Sequence, residues 1–218
     1  MKFKNKIIQE AYNNMIDNIY SIAKVECPTI TRGQTQEIIN KFDKVKEKYK
    51  EYEYWVVIDL TNAYRTVLKM INSDSGKIQA RDALYLNKLI GEHTNGEKTG
   101  VWRDRNVRIH KVGYNPPFLP QTKFIERIEQ VTKKRKITFE DIVKLQASIC
   151  KMQMFNDCNK RTSLVFCNAI AIQNNIEYIK IVDQVKWIDL LLEYYDDEKN
   201  LEKYVNFIKS SSLEIFEK

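Results

Sequence analysis

Apolar residues recur at helical spacing through most of the chain. Ile7, Ile8, Ala11, Tyr12, Met15, Ile16, Ile19, Ile22 and Ala23 would line one face of a first helix, which Pro28 ends. The same periodicity predicts a second helix from Thr31 to Tyr49 through Ile38, Ile39, Phe42 and Val45, and a third from about Tyr52 to Ile71 through Trp55, Val56, Leu60, Ala63, Tyr64 and Val67. A turn follows over Ser73 to Gly76, then a fourth helix from Lys77 to His93 carries Ile78, Leu84, Leu86 and Ile90.

The pattern changes once. Asn95 and Gly96 lead into Thr99–Trp102, a polar stretch Arg103–Asn106, and Val107–Val112, and this alternation predicts a β-hairpin that Pro116 and Pro117 stop. Helical spacing then resumes from about Gln121 to Lys134 and again from Thr138, whose partner Asp141 stands three residues on as in a capping box. A seventh helix is expected from about Arg161 to Gln173, ended by Asn174 and Asn175, with further helices over Asp183–Tyr195 and through the C-terminus. No internal repeat or low-complexity linker interrupts these elements. The expectation is a mainly α protein with a small β-hairpin.

Composition narrows the class. A chain of 218 residues can bury one substantial core, and 6 glycines and 4 prolines are too few for a loop-rich sheet protein, so helices should dominate. The longest apolar runs, such as Trp55–Ile58, are far too short to span a membrane. Met1–Lys6 is basic but leads into alternating polar and apolar residues, unlike a signal peptide, so a cytoplasmic location is expected. The net charge of +7 is spread along the chain, and its one dense run, Lys133–Lys136, reads as a solvated connection and not as a nucleic-acid contact. Cys27, Cys150, Cys158 and Cys167 lack paired spacing, and His93 and His110 are the only histidines, which argues against a zinc site.

The chemistry concentrates in residues 153–161, Gln-Met-Phe-Asn-Asp-Cys-Asn-Lys-Arg. An aromatic anchor, a carboxylate, an amide and two cations stand where a helix is expected to begin, and unpaired N–H groups and the positive dipole end favour an anion there. Such residues are also ordinary caps and solvated first-turn cations. Lys160 and Arg161 would add charge-assisted hydrogen bonds to a phosphate, and Asp157 would hold its magnesium.

This segment resembles the signature of the Fic/Doc family, His-x-Phe-x-Asp/Glu-Gly/Ala-Asn-Gly/Lys-Arg. Phe155, Asp157, Asn159, Lys160 and Arg161 sit at the family's offsets, whereas Gln153 stands at the catalytic histidine and Cys158 at the glycine or alanine. The likeness runs from about Leu84 to Arg161, through Gly100-Val-Trp-Arg103, the hairpin and its Pro-Pro turn. It implies a Fic-like helical bundle as one domain over 1–218, with a core over about 84–192 and the helices of 1–71 packed on it.

The resemblance also implies roles. ATP or another nucleoside triphosphate with Mg2+ would lie on Asn159, Lys160, Arg161 and Thr162, with Asp157 on the metal and Phe155 fixing the loop. AMP would pass to a protein hydroxyl laid along a flap at Val107, Arg108, Ile109 and His110, by strand addition. An antitoxin or a second copy of the chain stands among the implied partners, with neither nucleic acid nor membrane. Glu26 matches the glutamate of the family's inhibitory helix, but Ile22 and Leu164 replace its companions, which favours an ordinary helix-end carboxylate.

A glutamine carboxamide cannot accept a proton near neutral pH, so Gln153 can orient a hydroxyl but cannot serve as general base. Loss of such a base typically costs about 10²–10⁴ in rate while charge stabilisation remains. Three functions stay open at this point: AMP transfer that is reduced or absent, Doc-like phosphoryl transfer from the γ-phosphate, and a non-catalytic nucleotide-dependent module that binds a protein. His110 is the only flap residue able to replace the base.

Overall fold

The structure, a computed structural model, describes residues 6–73 and 76–213. The basic start at Met1–Lys6 and the turn at Ser73–Gly76 therefore lie largely outside the described residues. Ten α-helices follow in order: α1 Lys6–Asn13, α2 Met15–Ala23, α3 Arg32–Lys41, α4 Glu51–Asn72, α5 Ala80–Ile90, α6 Gln121–Thr132, α7 Phe139–Met152, α8 Asn159–Gln173, α9 Gln184–Asp196 and α10 Leu201–Leu213.

The fold is organised around α8. Apart from Lys160 and its last residue, every position of α8 is buried, consistent with a sequence that is apolar or small on all sides. Helices α7, α5, α4, α2 and α1 pack around it, and α9 and α10 close over α7. Beneath the first turn of α8 a buried polar chain ties three layers together. Trp187 Nε1 donates to the Tyr204 hydroxyl (2.7 Å), that hydroxyl donates to Gln146 Oε1, and Gln146 Nε2 donates to Ser163 Oγ (2.9 Å). Ser163 Oγ in turn donates to Lys160 O (2.8 Å). Every member has a partner, so the chain fixes the rotation of α8 without an unsatisfied group.

The fourth expected helix is shorter than its pattern, Ala80–Ile90 and not Lys77–His93, and three other boundaries differ from the periodicity in ways that shape the fold. The first expected helix divides at Asn14, a weak helix former that leaves helical geometry for one residue. The second stops at Phe42, whose φ is 44°, and continues as a 3-10 segment over Phe42–Lys48. The return is held by the Glu37 carboxylate, which accepts from Lys48 (2.6 Å), the Tyr49 hydroxyl and Lys41 (3.0 Å). Lys48 above all, then Tyr49 and Lys41, draw the Glu37 carboxyl down to about 2. The signature helix begins at Asn159 and not at Arg161.

The expected β-hairpin is not formed: among the described residues there are only two isolated bridges, Trp102 with Phe155 and Ile109 with Tyr114. Residues 102–105 spend their hydrogen bonds on the signature loop instead. Arg103 N donates to Met154 O (2.8 Å), and the Trp102 ring stacks on Phe155 with centroids 5.2 Å apart. Burying Trp102 and Phe155 together outweighs the local alternation, since an isolated hairpin is marginal in water. The remaining flap residues make a tight turn, with Ile109 N donating to Tyr114 O (2.8 Å) across His110–Gly113. Among the described residues no helix is long and apolar enough to cross a membrane.

The capping box at α7 forms as the sequence indicates: Asp141 N donates to Thr138 Oγ1 (3.2 Å) and Thr138 N to Asp141 Oδ2 (3.0 Å). Thr138→Ala should cost roughly 1 kcal/mol. A lowered denaturant midpoint at constant m-value would register it; an unchanged midpoint would show that the cap carries no stability.

Candidate nucleotide site

Two residues in the left-handed backbone region set the loop between α7 and α8. Gln153 (φ 46°) closes α7 and Cys158 (φ 61°) opens α8. The second value explains why a glycine-like residue suits position 158: left-handed φ is strained for a residue with a Cβ. Between them Asn159 braces the loop. Its Nδ2 donates to Phe155 O (2.8 Å) and its Oδ1 accepts from Phe155 N (2.9 Å), so both backbone groups of a fully buried residue are satisfied by one side chain. Asn87 on α5 supports the same loop by donating to Asp157 O (3.0 Å) and to Thr162 Oγ1 (2.9 Å).

A cavity of about 290 Å³ opens at the start of α8. Asp157, Lys160 and Gln153 form its polar side, Glu26 faces them from the end of α2, and Leu191 and Tyr195 of α9 wall the apolar side. The N–H groups of Asn159, Lys160 and Arg161 meet no acceptor among the described residues, because Cys158 caps nothing and the first helical bond is Thr162 N to Cys158 O. Those donors and the dipole end make the electrostatics anion-seeking. Asp157 Oδ1 accepts from Cys158 N (2.6 Å), and its second oxygen has no protein partner among the described residues.

Not every expected residue reaches this cavity. Arg161 turns inward, 1% exposed, with Nη1 donating to Ile90 O (3.3 Å) and Nη2 to Cys158 Sγ (3.0 Å). Thr162 is fully buried against Asn87. The helical turn rules out both: a start at Asn159 leaves Lys160 at the open face and rotates Arg161 and Thr162 toward α5. The flap divides similarly. Ile109 and Lys111 line the cavity, whereas Val107, Arg108 and His110 do not. Lys111 was not singled out by the sequence, and only the turn at His110–Gly113 brings it round.

Glu26 is not an exposed helix-end carboxylate. It is half-buried on the cavity wall, with Oε1 3.4 Å from Lys160 Nζ. Gln153 has both ends of its amide engaged: Nε2 donates to Cys150 O (2.6 Å) and Oε1 accepts from Asn159 Nδ2 (3.2 Å). No histidine lines the cavity. His93 follows the end of α5, its Nδ1 2.6 Å from the buried Asp59 carboxylate and its ring stacked on Trp55. Burial raises the Asp59 pKa, which the His93 hydrogen bond opposes.

All four cysteines are free and buried. Burial pushes the Cys158 thiol up to about 11 against the pull of Arg161, so it is neutral at physiological pH and is no nucleophile. Arg103 is the anchor that the alternating pattern concealed. It is buried under the flap, donating to Met152 O (3.4 Å) at the end of α7, to Arg105 O (3.2 Å) and to Pro117 O. A cation is favoured at that helix end.

Residues 77–171 match the model of the Fic/DOC family. Among solved structures, Fic-1 from C. elegans superposes with a TM-score of 0.77 at 15% identity, covering 95% of this chain and 65% of that one. A Fic-domain-containing signaling protein from Bacteroides thetaiotaomicron gives 0.71 at 14% identity, covering 93% and 85%. A Fic family protein from Desulfovibrio desulfuricans gives 0.62 at 13% identity, covering 96% and 68%. These likenesses show a shared fold. The chain thus spans somewhat less than two thirds of the C. elegans structure. No curated protein matches it.

Asn159→Ala would leave the Phe155 N–H and C=O buried without partners. A loss of roughly 2–3 kcal/mol in chemical denaturation is expected. A loss below about 0.5 kcal/mol would mean that the loop does not depend on this brace.

Proposed function

We propose that the cavity at the start of α8 binds a magnesium-bound nucleoside triphosphate, ATP in the first instance, and that AMP transfer from it to a protein hydroxyl is reduced or absent. The observation that carries this reading is the convergence on one cavity of Asp157, Lys160 and the start of α8, where the backbone N–H groups of Asn159 and Lys160 meet no acceptor among the described residues. A single carboxylate with a free oxygen fits a magnesium ion that arrives with its nucleotide, because such an ion keeps waters and phosphate oxygens as its other ligands. Bound there, magnesium would neutralise phosphate charge, and Asp157 would hold it.

The chain's own contributions follow from the geometry. The start of α8 and Lys160 take the charge of the phosphates, with Lys111 at the rim. Lys160 must first leave Glu26, so the glutamate competes with the incoming phosphate for the same ammonium. Arg161 supports the site from behind through Cys158 and Ile90, and Asn159 through Phe155.

What the cavity lacks is a free proton acceptor at the Gln153 position. The amide is occupied at both ends, and the other acceptors on the wall are the carboxylates of Asp157 and Glu26. The target hydroxyl would therefore attack the α-phosphate without a dedicated base, at a cost of about 10²–10⁴ in rate.

Calorimetric titration with ATP and Mg2+ should show binding, and Glu26→Gln should tighten it severalfold by freeing Lys160. In parallel, the native chain and Gln153→His would be incubated with candidate target proteins and ATP labelled at the α or the γ position. We expect α-label transfer only, and faster with the histidine variant. Transfer from the γ position would replace this reading by phosphoryl transfer. Equal α-label rates in both chains would remove the argument from Gln153, and no heat of binding would remove the site.

A further inference from the structure

A second cavity lies on the other side of the flap. It measures about 490 Å³ and is lined by Tyr114, Arg127, Ser148, Lys151, Tyr194 and Glu198 among others. Its two cations are fixed in place by neutral oxygens. Arg127 donates through Nε (3.1 Å) and Nη2 (2.8 Å) to Ser148 Oγ and through Nη1 (3.1 Å) to Gln130 Oε1. Ser148 Oγ is itself pinned by donating to Lys144 O (2.7 Å). No carboxylate lies within ion-pair distance of Arg127 among the described residues, and two of its N–H groups remain unused. Lys151 Nζ donates to Tyr194 O (2.9 Å) and sits over the rings of Tyr194 (4.5 Å) and Tyr114 (5.9 Å). Its only acid partner among the described residues is Glu198 at 3.5 Å, a side chain that is 83% exposed.

The cavity thus holds two ordered cations against one solvated carboxylate, with tyrosine rings for walls. Like charges held close in a half-buried space raise each other's energy, and an incoming anion relieves both. Arg127 offers paired N–H groups that suit a carboxylate.

Its position says which anion is in question. Three chain segments separate the two cavities, and in two of them neighbouring residues face opposite sides. Ile109 and Lys111 face the first cavity while Tyr114 and Pro117 face the second; Gln153 faces the first and Met152 the second; Tyr195 faces the first and Tyr194 the second. An extended polypeptide advances about 3.3 Å per residue. A segment lying along the flap with a hydroxyl at Gln153 would therefore bring a side chain only a few residues away over Arg127 and Lys151.

We propose that this cavity is a specificity pocket for an acidic side chain of the target polypeptide, a few residues from the hydroxyl that enters the nucleotide site. The proposal rests on the reading of the flap as the target-binding face, and it concerns the choice of target and not the chemistry.

The test uses the full chain and fluorescein-labelled peptides of one sequence. Each has a central serine, with either glutamate or glutamine placed two, three or four residues to one side. Anisotropy should show at least one glutamate peptide binding about fivefold or more tightly than its glutamine twin. Arg127→Gln should abolish that preference and Arg127→Lys should keep part of it, with unchanged melting temperature and unchanged ATP affinity in both. Glutamate preference in a chain that fails to bind ATP would leave the pocket standing and remove the nucleotide site. Equal binding of the twins, or a preference that survives Arg127→Gln, would overturn the pocket. So would displacement of the peptide by millimolar inorganic phosphate but not by free glutamate, which would make it a phosphate site. Self-association of the native chain that Arg127→Gln abolishes would also overturn it, by giving the pocket to a second copy.

Discussion

The Asn159 side chain, clamped to both backbone groups of Phe155, is the contact on which the rest of the molecule turns. It closes the loop between the helix that ends at Gln153 and the helix that starts behind Cys158, and those two helices form the largest packing contact in the fold. With the loop closed, Phe155 is driven under Trp102, and Trp102 carries the following segment onto the same surface. One amide therefore sets the helix start, the aromatic stack beneath it and the course of the flap. The polar chain from Trp187 through Tyr204, Gln146 and Ser163 reaches the same first turn from below, so α8 is held at its opening from both sides.

The site that results has unequal halves. On one side helix donors, a lysine and a carboxylate share one space. On the other an amide serves structure, since Gln153 bonds the end of α7 and the bracing asparagine. Glutamine at this place is thus well accommodated by its surroundings. A histidine there would have to give up or re-form both contacts, which links the chemistry of the position to the stability of the loop.

Much of this was legible in the residues. Helical spacing located the long helices because apolar positions recur at that period over several turns, and the capping box at Thr138 and the Asn174–Asn175 stop gave true ends. The signature at 153–161 pointed to a stretch that lines a cavity at the start of α8. What failed were features decided by distant contacts. Alternation around 99–112 suggested a hairpin, but Trp102 and Arg103 gain more by pairing with residues fifty positions away than with each other's neighbours. Arg161 looked like a phosphate ligand because the helix was expected to begin there. A start two residues earlier rotates it into the core, and rotation is invisible until the cap is known. Glu26 seemed solvated because its lysine partner is distant in sequence.

The buried guanidinium of Arg103 has one more effect. By gripping Arg105, Met152 and Pro117 at once, it rivets both feet of the flap to the end of a core helix, while the tip over His110–Gly113 is exposed and meets α9 through a surface ion pair, Lys111 Nζ 3.4 Å from Asp189 Oδ1. Length and sequence at that tip can drift without disturbing the scaffold. Descendants of such a chain could thus change the surface of this turn by exchanging a handful of residues, with the helices beneath left as they are.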